Sequence, residues 1–125
     1  MAREFQLFIL GSCWEVRIRK EEEEERLNDC NGFTDWTNRT IYVMDGRDIG
    51  NLRFPEELMK KVLRHEIVHA FLLESGLREN WRHPEYGHDE EMVDWVAVQL
   101  YKISAACESA EGHLKRILKE TEGHE

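Results

Sequence analysis

Trp14, Val16 and Ile18 alternate with Glu15, Arg17 and Arg19, the two-residue period of a strand with one face in a core and the other in water. Phe5 to Leu10 is a shorter apolar run that stops at Gly11-Ser12. Phe33 to Trp36 and Thr40 to Met44 are two further β-rich segments, and Thr37-Asn38-Arg39 between them reads as a hairpin. The first third of the chain is therefore expected to form a small sheet of three or four strands, antiparallel or mixed. Between its two halves, Glu21 to Glu25 is a like-charge run that predicts an exposed loop or a frayed helical turn. Asn28-Asp29-Cys30-Asn31-Gly32 is turn chemistry.

The period changes after Asp45-Gly46 and Gly50-Asn51. Phe54-Pro55-Glu56-Glu57 marks a helix start, with proline tolerated in the first turn and two carboxylates at the positive end of the macrodipole. Leu58, Val62, His65, Glu66, His69 and Leu72 or Leu73 follow helical spacing, while Leu63, Ile67, Ala70 and Phe71 cover a second face. Such a helix is expected to be central and packed on both sides, and Ser75-Gly76 ends it as a glycine cap. Arg78 to His88, with Pro84 and Gly87, reads as a loop. Met92, Val93, Val96 and Leu100 then restore helical spacing. Gly112 is expected to break this region, leaving His113 to Glu120 as a charged terminal helix. Trp14, Trp36, Trp81 and Trp95 are expected to pack in the core or along a cleft wall, and His113 and His124 to carry no chemistry.

Length and composition narrow the class. A chain of 125 residues and 14.9 kDa is one domain, residues 1–125, large enough to bury a real core without disulfides. Cys13, Cys30 and Cys107 are an odd number without a Cys-x-x-Cys pair. They read as reduced thiols of a cytoplasmic protein, Cys13 in a strand and Cys107 in a helix. The N-terminus lacks the apolar stretch of a signal peptide, and no apolar run approaches a membrane span. The formal charge of −9 disfavours nucleic acid, with Arg17, Arg19, Lys20 and Arg26 as a small local exception.

The candidate chemistry lies in Leu63-Arg64-His65-Glu66-Ile67-Val68-His69-Ala70-Phe71. On a helix, His65 and His69 stack one turn apart and can share a metal, and Glu66 on the flank can reach a water held by that metal. Zinc with three protein ligands lowers the pKa of its water from about 15.7 to near 7, which places a nucleophile and a base together. Apolar residues at both x positions and directly after the motif argue for a buried helix. Two imidazoles need a third ligand. Glu90 and Asp94 share a face of the later helix, so one can bind metal while the other accepts a ring N–H of a ligand histidine; Glu91 competes for the ligand position.

His65-Glu66-Ile67-Val68-His69 followed by Asp89-Glu90-Glu91-Met92-Val93-Asp94 resembles the gluzincin pattern, in which a second helix carries Asn-Glu-x-x-x-Asp. The likeness extends over roughly residues 32–101. It is closest to small intracellular and phage-encoded metallopeptidase-like proteins of the ImmA/IrrE group, and more distant to SprT-like proteases. It implies an α+β, zincin-like minimal fold: a small N-terminal sheet on a central metal helix and a following C-terminal helix. By that likeness Glu90 is the third ligand and Asp94 its supporting partner, although Asp89 stands where the pattern has Asn. It further implies an edge strand, expected at Thr40 to Met44, that holds an extended peptide, with Tyr86, His83 or His88 as oxyanion donor. The expectation is a Zn2+-dependent peptidase of an intracellular protein substrate, with His65, His69 and Glu90 on the metal and Glu66 as general base. The alternative is a zinc-stabilised protein-binding module without turnover. A third reading is a metal-free domain in which the motif is coincidental.

Overall fold

The alternating segment forms the longest strand of the sheet. A computed structural model describes residues 3–76 and 90–122, the side chains at 90–94, 97 and 122 excepted. Within it β1 (Glu4–Ile9) and β2 (Ser12–Arg19) form an antiparallel hairpin, with Phe5 opposite Val16 and Leu7 opposite Trp14. Leu10 and Gly11 between them both take positive φ, the geometry of a tight two-residue turn that follows the natural twist of the strands. A second hairpin joins β3 (Gly32–Asp35) to β4 (Thr40–Met44). The two hairpins meet through β2 and β4, which run parallel with Val16 beside Ile41, so the sheet is mixed with order β1-β2-β4-β3. The acidic segment that crosses over between them is two short 3-10 turns, Glu21–Glu23 and Glu25–Asn28.

Two helices complete an α+β architecture. α1 (Pro55–Glu74) starts at its proline, carries Glu56 and Glu57 in its first turn and ends at Ser75, with Gly76 at φ +77°. α2 runs unbroken from Glu90 to Glu122. Gly112 therefore does not interrupt the helix as its residue type suggested. Ala106, Ala110, Leu114, Ile117 and Leu118 keep one apolar stripe in register through it, and burial of that stripe outweighs the roughly 1 kcal/mol that a helical glycine costs. Within that helix the His113 ring stacks on Phe5 at a centroid distance of 4.8 Å. His124 lies outside the described residues.

One face of the sheet (Phe5, Leu7, Ile9, Trp14, Val16, Ile18, Ile41 and Val43) packs against Met59, Leu63, Ile67, Ala70 and Phe71 of α1 and the apolar stripe of α2. On the opposite face, among the described residues, Tyr42 and Met44 of β4 meet Leu27, Phe33 and Ile49. All five residues of Thr40–Met44 are thus buried, and the expectation of an edge strand there is wrong: β4 lies inside the sheet, and β3 and β1 form its edges. Trp36 is also not packed. It sits in the β3–β4 turn and is 60% exposed, whereas Trp14 is in the core, Trp95 packs against it and Trp81 lies outside the described residues. Cys13 and Cys107 occupy the strand and helix expected of them, and all three thiols are free. Arg17, Arg19, Lys20 and Arg26 each pair with a carboxylate, namely Glu15, Glu4, Asp48 and Glu24. Among the described residues no helix is long and apolar enough to cross a membrane.

The C-terminal end of α1 is tied to the sheet by Glu74. Its carboxylate accepts from Ser12 Oγ (3.0 Å), Trp14 Nε1 (2.8 Å) and Arg39 Nε (2.7 Å), and its side chain is 12% exposed. Burial alone pushes this carboxyl up, but the three donors together outweigh it and hold it below the ordinary glutamate value. A depressed carboxylate contributes stability that is complete above the unfolded-chain value and fades as pH falls through the lower folded value. Glu74→Gln is therefore expected to cost about 1–3 kcal/mol at neutral pH in urea unfolding, and the gap between variant and wild type should narrow on the acid side of pH 4.5.

Candidate metal centre

The five motif residues all lie inside α1, and the helix divides them by direction. Ile67 faces the core and is fully buried, while Val68, expected to be covered, is 37% exposed. His65 points outward with two thirds of its side chain accessible, and Glu66 turns toward the sheet with 8% accessible. His65 and His69 meet on the exposed side at a ring-centroid distance of 4.8 Å and an interplanar angle of 72°. Their Nε2 atoms are 3.1 Å apart.

That distance tests the pair against a cation. Two nitrogens bound at 2.0–2.1 Å at tetrahedral angles lie about 3.3 Å apart, so the rings hold nearly the required span. In the absence of a cation the same approach requires one ring to donate an N–H to the other's bare nitrogen. A divalent ion would replace that proton without rearranging the helix.

Glu66 is held from the strand side. Thr34 Oγ1 of β3 donates to Glu66 Oε1 at 2.9 Å and lies 3.3 Å from the Glu66 backbone oxygen; Glu66 Oε2 is 4.0 Å from His65 Nε2. One carboxylate oxygen is thus engaged by the sheet and the other lies on the side of His65. Among the described residues Glu66 has no Lys or Arg partner. The other buried acid, Asp45, is paired with Arg47 at 2.7 Å. Glu66 is thus a buried carboxyl whose side-chain donor among the described residues is the Thr34 hydroxyl.

Gly32 lets β3 come this close. A Cβ at that position would stand 2.5 Å from Val62 Cγ1 and 2.8 Å from the Tyr42 carbonyl oxygen, closer than atoms can approach. The turn-like composition around Asn31-Gly32 concealed this role, since glycine serves turns and close backbone approach equally well. Thr34 carried no sequence signal of its own. Only the pairing of Thr34 with Ile41, which sets Thr34 on the helix side of the sheet, reveals it.

The acids expected to complete the site come from the start of α2, and the side chains of Glu90, Glu91 and Asp94 lie outside the described residues, as do Asp89, His83, Tyr86 and His88. The two helices are antiparallel, with Arg64 paired to Glu111 and Trp95 Nε1 donating to Ser75 Oγ at 3.1 Å. Ser75 is six residues past His69, about 9 Å along the helix axis, so Trp95 meets α1 beyond the motif. Among the described residues no group of three His, Cys, Asp or Glu is placed to hold a metal ion. Comparison of the chain with protein-family models, with curated proteins and with solved structures gives no match.

Gly32→Ala is expected to lower stability by about 1–3 kcal/mol through the forced separation of β3 and α1, measured as a shift in the urea midpoint. His65→Ala and His69→Ala should each remove bound zinc from protein dialysed against the metal, as read by elemental analysis. Glu90→Gln and Glu91→Gln compared in the same assay identify the carboxylate ligand as the one whose loss weakens zinc by about tenfold or more.

Proposed function

We propose that the chain is a zinc-dependent metallopeptidase that hydrolyses peptide bonds of an intracellular protein substrate. The observation that carries this reading is the buried carboxyl of Glu66, without a Lys or Arg partner among the described residues, with one oxygen anchored by Thr34 and the other 4.0 Å from His65 Nε2, itself 3.1 Å from His69 Nε2. Metal binding alone does not call for such a group, because a structural zinc site is closed by a fourth protein ligand and needs no base.

In this reading His65 and His69 hold the metal from the exposed face of α1, and Glu90 is the third ligand, with Glu91 as its competitor and Asp94 as the partner that orients a ligand ring. Zinc bound there supplies Lewis acidity, acidifying a water and polarising the scissile carbonyl. Glu66 Oε2 takes a proton as the attack proceeds and returns it to the departing amine, while the Thr34 hydroxyl keeps Oε1 occupied and the carboxylate in one orientation. An extended peptide pairs with β3, an edge strand of the sheet among the described residues, which runs beside the site, and not with β4, whose two edges are already filled. The corresponding fold reading is a minimal zincin-like domain akin to the ImmA/IrrE group: a small sheet, a metal helix and a second helix. The three free thiols accord with action inside the cell.

The test is the zinc-loaded protein incubated with a proteome-derived peptide library and analysed by mass spectrometry. Glu66→Gln should keep its zinc and lose cleavage by about 10²–10⁴-fold, the usual contribution of a general base. Cleavage by Glu66→Gln at the wild-type rate, or zinc retained by both histidine variants, would overturn the proposal. Full partner function without turnover would favour the binding module.

A further inference from the structure

A pocket of about 250 Å³ opens against the site on its N-terminal side, lined by Asn31, Gly32, Leu58, Lys61 and Val62 and bounded by His65 and Glu66. Leu58, Lys61, Val62 and His65 lie on one face of α1, so the pocket is a groove between that face and the start of β3. Leu58 and Val62 are partly buried and give it an apolar floor. Lys61 is exposed at its rim, one helical turn before His65.

Within the pocket the charged groups are Lys61 at the rim and Glu66 at the inner wall, where Thr34 Oγ1 occupies Glu66 Oε1. The protein carries −9 overall, yet Lys60, Lys61 and Arg64 line the adjoining groove, where Glu57 and Phe54 complete the wall. Arg64 is engaged by Glu111. Lys61 makes no ion pair or hydrogen bond among the described residues, not even with Glu57 one turn away. The five basic side chains that precede the second hairpin, Arg3, Arg17, Arg19, Lys20 and Arg26, are by contrast all paired.

We propose that this pocket is a specificity subsite that takes an acidic side chain, Asp or Glu, of the substrate next to the scissile bond, with Lys61 as the specificity-determining residue. The proposal rests on the peptidase reading for what is bound and adds which sequences are chosen. The methylenes of the ligand side chain lie on Leu58 and Val62, its carboxylate meets the Lys61 ammonium, and the amide of Asn31 can donate to it. A lysine or arginine side chain in the same place would meet Lys61 as a like charge at the rim, which disfavours it.

Two measurements separate this proposal from the reading beneath it. In the first, zinc-loaded protein cuts an equimolar peptide set in which each position flanking the cut is varied among Glu, Gln, Lys and Leu. In the second, fluorescence anisotropy follows binding of the same labelled peptides to the Glu66→Gln protein, which requires no turnover. At one position Glu should exceed Gln by about fivefold in both measurements, as expected for a partly exposed ion pair. Lys61→Glu should invert the order so that Lys exceeds Glu, and Lys61→Met should level it. Cleavage without an acidic preference would overturn the subsite and leave the peptidase standing. Acidic peptides bound through Lys61 but never cut would support the subsite and overturn the peptidase. Neither cleavage nor Lys61-dependent binding would overturn both.

Discussion

The close approach of β3 to α1 is the contact on which the rest of the arrangement depends. Because Gly32 has no side chain, the Val62 methyl can rest almost on the strand backbone, and Thr34 two residues later comes within hydrogen-bond reach of Glu66. That single seating fixes the rotation of α1 about its own axis. Leu63, Ile67, Ala70 and Phe71 are then turned to the sheet and α2, Glu66 to β3, and the two imidazoles outward. A small rotation of the helix would expose the apolar stripe and bury a histidine, at a cost of several kcal/mol in lost apolar burial alone.

The far end of the helix is held by different physics. Glu74 collects donors from β2 and from the β3–β4 turn, so a charged knot fixes the C-terminal end of α1 while close packing at Val62, two turns into the helix, seats its N-terminal half. With α1 held on either side of it, the motif inherits little freedom. This is the kind of support that a convergent pair of ring nitrogens and a flanking carboxylate need if they are to be held before any ligand arrives. It also keeps Glu66 sheltered while His65 stays open to solvent, a division of exposure within one helical step.

Much of this was legible in the residue pattern, and the misreadings have identifiable causes. Alternation in Trp14, Val16 and Ile18 revealed β2, and Pro55 and Gly76 marked both ends of α1, because these signals are local. The interior position of Thr40–Met44 was written in its lack of alternation, since Ile41, Tyr42, Val43 and Met44 are apolar at every step, as a strand covered on both faces must be. Gly112 misled because residue identity was weighed above the uninterrupted stripe from Ala106 to Leu118. Thr34 and Gly32 could not have been assigned to the site, because their importance comes from strand register and from a distant helix, neither of which leaves a trace in neighbouring residues. The helix position of the motif followed from spacing, whereas the 3.1 Å convergence of its rings did not.

The parallel seam between β2 and β4 has a kinetic meaning. Each hairpin can close on its own within a short stretch of chain, but zipping Val16 to Ile41 requires the whole acidic crossover to be drawn in first. Loop closure of that length is an entropic toll levied before any reward, so assembly of the two halves is expected to be the slow event in folding. Until that seam forms, β4 presents an apolar ribbon with a bare backbone edge, the species of this chain most prone to associate with copies of itself during biosynthesis.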